Sequence, residues 1–177
     1  RLFFGARVRN PGRIRRRPTK AASVSATLFS VEAAPLHHAR LPVECRTRAG
    51  ASWAGMASGV DALVPYVEHQ EVMTDWDAKR GSYVLEPVQD FVPEVRERLR
   101  QKKLGKDDPV LLICRSGDRS ARAANRLAED GFTEVWSVVD GFEGDMGQDG
   151  RRSVNGWKNA GLPWSYKLER EKMYFPR

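Results

Sequence analysis

The chain has 177 residues, 41% of them hydrophobic and 30% charged, with a formal net charge of +7. That length supports one sizeable hydrophobic core and leaves little for a second full domain. Two cysteines, Cys45 and Cys114, exclude a disulfide framework and a Cys-based zinc cluster and fit a reducing compartment, while no apolar run approaches the roughly 20 residues that span a bilayer.

The positive charge is local. Arg1, Arg7, Arg9, Arg13, Arg15, Arg16, Arg17 and Lys20 meet no acidic residue within residues 1–20, so the rest of the chain is close to neutral. Pro11-Gly12 and Pro18 argue against a continuous helix there. An Arg-rich, acid-poor segment followed by Ser and Ala is shared by organelle-targeting leaders and by arms that order on an anionic partner. Mitochondrion is the location this composition suggests, with plastid or bacterial cytoplasm as alternatives. Residues 1–28 therefore read as a basic arm or targeting-like leader, residues 29–164 as the domain, and residues 165–177 as an aromatic and charged tail.

Residues 29–40 are hard to parse: Ser30 to Ala34 could begin a helix that Pro35 stops, and His37-His38 have no ligand types beside them. Leu41-Pro42-Val43-Glu44-Cys45-Arg46 fits a short strand. Cys45 alternates with Val43 toward the core and reads as an inert buried thiol, while Glu44 and Arg46 share the opposite face. Residues 47–56 read as a loop with a short helix, residues 60–66 as a strand edge interrupted by Pro65, and residues 67–86 as irregular. Across residues 90–104, Phe91, Val92, Val95 and Leu99 recur at helical spacing, and Gly105 supplies a stop.

Val110-Leu111-Leu112-Ile113 follows the turn signal Asp107-Asp108-Pro109 and has the character of a fully buried strand. A helix is expected from Ala121, with Ala124, Leu127 and Ala128 facing the core and Gly131 ending it. Residues 135–139 form the next strand. Strands alternating with helices predict an α/β domain with a central, mainly parallel sheet flanked by helices. A polar loop over 144–156 and a helical turn over 155–161 follow. Trp164, Tyr166, Leu168, Met173, Tyr174 and Phe175 then suggest docking, onto the domain or onto another chain.

Between the strand and the helix lies Cys114-Arg115-Ser116-Gly117-Asp118-Arg119-Ser120. A turn that curls around its first side chain points successive N–H groups inward, and the helix N-terminus adds partial positive charge. Such a cradle favours the thiolate of Cys114, helped by Arg115 and Arg119. Gly117 permits a close backbone approach, and Ser120 is suited to cap the helix. Asp118 leaves the cradle positive if it points away and opposes an anion if it points in.

This loop resembles the active-site loop of single-domain rhodanese-like sulfurtransferases. Further resemblances are Glu44-Cys45-Arg46-Thr47, where the family has Asp-x-Arg-Thr, Gly131-Phe132 through Val139-Asp140-Gly141-Phe142, and Gly156-Trp157 through Gly161-Leu162-Pro163. Cys114 to Arg119 is Cys-x4-Arg, similar to the sulfurtransferase cradle, whereas cysteine phosphatases use Cys-x5-Arg. The resemblance implies a rhodanese-like single domain, a persulfide on Cys114 formed from thiosulfate or a related small anionic donor, and a thiol, protein or cyanide acceptor. It implies no metal or organic cofactor. Residues 115–120 are the expected binding loop, with Glu44 and Arg46 in support and Glu44 a candidate to brace Arg119. The terminal segments motivate an alternative, a non-catalytic rhodanese-fold subunit of a large protein or ribonucleoprotein assembly.

Overall fold

Val110–Ile113 is buried at every position, and a strand with no solvent face must be covered on both sides. The computed structural model, which describes residues 22–24 as backbone and residues 39–176, shows how. The elements run β1 (Ala22–Val24), β2 (Leu41–Glu44), α1 (Arg48–Ala54), β3 (Met56–Ala57), β4 (Ala62–Leu63), β5 (Val67–His69), β6 (Trp76–Asp77), β7 (Ser82–Tyr83) and β8 (Leu85–Pro87). They continue with α2 (Phe91–Gln101), β9 (Val110–Ile113), α3 (Asp118–Glu129), β10 (Val135–Val138), β11 (Trp164–Ser165) and a 3-10 turn at Arg170–Lys172. Apart from residues 22–24, the basic arm and the His37-His38 pair lie outside the described residues.

Five strands form one parallel sheet in the order β1-β10-β9-β2-β4. The alternation of side chains sorts the core into two layers. Leu41, Val43, Cys45, Val110, Leu112 and Cys114 face α2 and α3, which contribute Phe91, Val95, Leu99, Ala124 and Leu127. Leu63, Leu111 and Ile113 face the other way, toward Ala51 of α1, Phe142 and Trp157. The chain winds outward from β2 in one direction and from β9 in the other, so the seam between these two strands is the topological switch point. Ligands bind beyond the carboxyl ends of strands at such a seam.

Several local expectations are corrected. Residues 67–86 are two antiparallel pairs, β5 with β8 and β6 with β7, rather than irregular chain. Two- and three-residue strands give too short a period to read. The helix expected from Ala121 begins at Asp118, with Gly117 as its N-cap, so Ser120 lies inside the first turn and is not the cap. The Thr47 hydroxyl caps α1, accepting the Gly50 N–H at 2.9 Å.

Of the tail residues, Tyr174 is buried, and Leu168 and Met173 pack on the second core layer. β11 pairs with β3, and the Arg98 guanidinium donates to the carbonyls of Glu171 and Met173, both at 2.8 Å. Tyr166 and Phe175 stay exposed. No helix among the described residues is long and apolar enough to cross a membrane.

Candidate functional site

Cys114 sits where β9 ends, and the next residues turn sharply into α3. The turn is fixed from behind. The Phe142 N–H donates to the Cys114 carbonyl at 2.7 Å, and the N–H groups of Glu143 and Gly144 donate to the Arg115 carbonyl at 2.9 and 3.1 Å. These bonds tie the two carbonyls to the 142–144 turn. No carbonyl among the described residues takes the N–H groups of residues 115–119, which is the donor-rich arrangement an anion requires.

Gly117 makes the turn feasible. Its φ is 88°, and a Cβ there would stand 1.7 Å from the Val139 carbonyl oxygen. Asp118 points outward and pairs with Arg122 at 2.7 Å, so it does not oppose an anion in the cradle.

Behind the sulfur lies a chain of hydroxyls. Ser137 donates to Ser120 at 2.9 Å, and the Ser120 hydroxyl shares its proton between Cys114 Sγ at 3.3 Å and the Gly117 carbonyl at 3.0 Å. Cys45, one residue beyond the Glu44–Ile113 register pair, lies beside Cys114 on the adjacent strand and faces the same core layer. The Cys45 thiol, Ser120 and the Arg119 charge overcome the cost of burial and lower the Cys114 pKa from 9.0 to about 5. Cys45 moves the opposite way, its pKa pushed well above 9.0 chiefly by burial and then by the negative sulfur beside it. Of the two sulfurs, Cys114 therefore carries the negative charge and Cys45 keeps its proton.

Arg115 and Arg119 flank the opening. Arg119 makes no salt bridge among the described residues and faces Cys114 with its charge. Arg115 is exposed as a residue, yet partial desolvation of its guanidinium, then repulsion from Arg152 and Arg119, lower its pKa. Positive charge thus accumulates around one small volume. Cys114, Arg115, Ser116 and Arg119 form one end of a cleft of about 1630 Å³, whose walls include Arg48, Trp53, His69 and Arg122.

Glu44 does not brace Arg119. Its carboxylate is bound instead by Arg46, through the Arg46 N–H at 3.0 Å and the guanidinium at 2.8 Å, and both residues are buried. Arg46 also donates to the Gly55 carbonyl at 2.6 Å, approaches Glu143 at 3.6 Å and lies 4.3 Å over the Phe142 ring. Its buried Nε has no hydrogen-bond partner among the described residues. The pair therefore joins the end of β2 to the turn that holds the Cys114 loop. Burial raises the Glu44 pKa against the opposing pull of Arg46.

The sequence reading missed the contact of Cys45 with Cys114 and the roles of Ser137 and Glu143. Alternation did place Cys45 on the core face, but only the strand order β9-β2 puts that face beside Cys114.

These features define an α/β domain that presents one activated thiolate in an anion cradle. Residues 80–147 match the profile of the family described as rhodanese-like domain. An uncharacterized protein of Rickettsia prowazekii, RP600, is 42% identical over 60 residues, 34% of this chain and 44% of its own. The thiosulfate sulfurtransferase GlpE of Actinobacillus succinogenes is 40% identical over 57 residues, 32% and 40% of the two chains. The chain thus spans less than half the length of these curated relatives. The crystal structure of Rv0390 from M. tuberculosis superposes with a TM-score of 0.61 at 26% identity, covering 82% of this chain and 97% of that one. The chain thus matches a rhodanese-like domain over residues 80–147 and shares its fold with Rv0390, and its likeness to a thiosulfate sulfurtransferase covers about a third of its length.

A pH dependence follows from the site. Iodoacetamide labelling of Cys114, followed by peptide mass, is expected to reach half its plateau near pH 5 and to be flat by neutral pH, because the thiolate is already formed there. Labelling that still rises toward pH 9 would mean an ordinary thiol. Cys45 should stay unlabelled throughout.

Proposed function

We propose that this protein transfers sulfur through a persulfide on Cys114. The observation that carries the reading is a thiolate-favouring cysteine at the start of a loop whose 115–119 N–H groups find no carbonyl among the described residues, opening onto an arginine-flanked cleft. Arg115 and Arg119 attract a small divalent anion such as thiosulfate. The Cys114 thiolate attacks its outer sulfur, the sulfur–sulfur bond breaks, and sulfite leaves with the electron pair. Residues 115–119 then hold the negative outer sulfur of the persulfide with their N–H groups. An incoming thiolate or cyanide takes that sulfur, and Cys114 leaves as the thiolate from which it began.

Acid-quenched promptly after mixing with excess thiosulfate, the reduced full chain should carry one added sulfur atom, seen by intact mass and mapped to Cys114. Cys114→Ser should add none. A wild-type chain that stays unmodified while remaining folded would end the sulfur-transfer reading.

A further inference from the structure

The transfer cycle leaves Cys45 without a task, yet it is placed against the reacting sulfur. Glu44 pairs with Ile113 in the parallel register, and the Cys45 N–H donates to the Ile113 carbonyl at 2.8 Å, which sets Cys45 opposite Cys114 at the ends of neighbouring strands. Neighbouring strands lie about 4.8 Å apart. A disulfide accepts Cα separations of about 4.4–6.8 Å. Both residues point into the same core layer, and both are free thiols. Cys45 is fully buried beneath Cys114, so Cys114 is the sulfur that a reagent in the cleft meets.

We propose that Cys45 is a resolving thiol: it attacks the inner sulfur of the Cys114 persulfide, closes a Cys45–Cys114 disulfide and expels the outer sulfur as sulfide. This inference rests on the reading of Cys114 as a persulfide carrier. One sulfur–sulfur bond forms and one breaks. The Cys45 proton passes to the leaving sulfur, the outer sulfur is reduced to sulfide, and the two cysteine sulfurs are oxidised to the disulfide, so loaded donor is the only oxidant required. A dithiol reductant reaching Cys114 from the cleft would return both cysteines to thiols.

The empty state is guarded against this reaction. While Cys114 is a thiolate, its charge and the surrounding burial hold the proton on Cys45. Once the charge has moved to the outer sulfur of a persulfide, the inner sulfur no longer repels a Cys45 thiolate, and burial alone holds the proton. Cys114 then has two outcomes: transfer when an acceptor arrives, and release of sulfide with a locked disulfide when none does.

The test loads the full chain with inorganic polysulfide, which persulfidates thiols without relying on thiosulfate turnover, and in parallel with thiosulfate, both under anaerobic conditions. After polysulfide is removed, the wild type should lose its extra sulfur, become two hydrogens lighter than the reduced chain and release one sulfide per chain. Trypsin should then yield peptide 41–46 joined to peptide 107–115. Cys45→Ser and Cys45→Ala should keep the extra sulfur at least about tenfold longer. Equal lifetimes in wild type and variants, with no joined peptide, would overturn the proposal. If thiosulfate fails to load the chain while the polysulfide-loaded wild type still forms the joined peptide, the transfer reading falls and the resolving thiol stands. If neither variant folds, sulfide yield and the joined peptide in the wild type decide the matter.

Discussion

Arg46→Met is expected to lower stability by about 3–5 kcal/mol, read from the urea midpoint at neutral pH. Removing the guanidinium leaves the Glu44 carboxylate buried with only the residue-46 backbone N–H as a donor, and it strips one link from the Gly55 carbonyl and from Glu143. The magnitude belongs to a broken buried pair, not to an exposed one, for which about 0–1 kcal/mol would be expected. Adding Glu44→Gln should recover part of the loss, because the orphaned charge is then gone.

The pH dependence has a definite sign. Arg46 is the chief influence lowering the Glu44 pKa, so its loss raises further a value that burial already holds above 4.5. A folded carboxyl with a raised pKa keeps its proton longer than the unfolded chain does. The defect should therefore be smallest below pH 4.5 and grow as pH rises toward the folded value. A defect independent of pH would show that Arg46 acts through packing on Phe142 rather than through its charge.

Gly117→Ala should be similarly severe and should also alter the thiol. The added methyl would stand 1.7 Å from the Val139 oxygen and 2.7 Å from its carbonyl carbon, both backbone atoms that no rotamer change can move aside. The φ of 88° adds strain for any L side chain. Together these should cost about 3 kcal/mol or more unless the turn opens. Opening the turn is the expected escape. It would carry Ser120 and Arg119 away from Cys114 and move the labelling midpoint up from about 5 toward 9.0. A folded Gly117→Ala protein with an unchanged midpoint would show that the loop geometry does not set the thiolate.

Much of this arrangement was legible in the sequence because it is local. The run 110–113 followed by a small polar turn and a helix shows β9, the cradle and α3 within one window, and the Cys-x4-Arg spacing narrows the chemistry. The parallel α/β sheet likewise follows from alternation of elements along the chain. What escaped reading depends on strand order. Charge alone makes Glu44 one possible partner for Arg119 in the sequence. In the fold, Arg46 is closer, shares the same strand face and fills the buried space against Phe142. Cys45 is buried with a raised pKa, in keeping with its alternation with Val43, and only the strand order β9-β2 puts it beside Cys114. The small apolar face begins only at Ala121, three residues after the helix starts at Asp118, so in sequence Ser120 reads as a cap.

The turn behind Cys114 has one more consequence, for the order in which the protein is made. Synthesis proceeds from the amino end, so the nucleophile leaves the ribosome before residues 141–158, which clamp its loop through Phe142, Glu143 and Gly144 and are themselves fixed by Trp157 and Lys158 donating to the carbonyls of Gly141 and Phe142. Until that later stretch has docked, the carbonyls of Cys114 and Arg115 are free to turn and the amides have no reason to converge. A nascent chain thus displays an ordinary thiol, and the reactive one exists only after folding is complete.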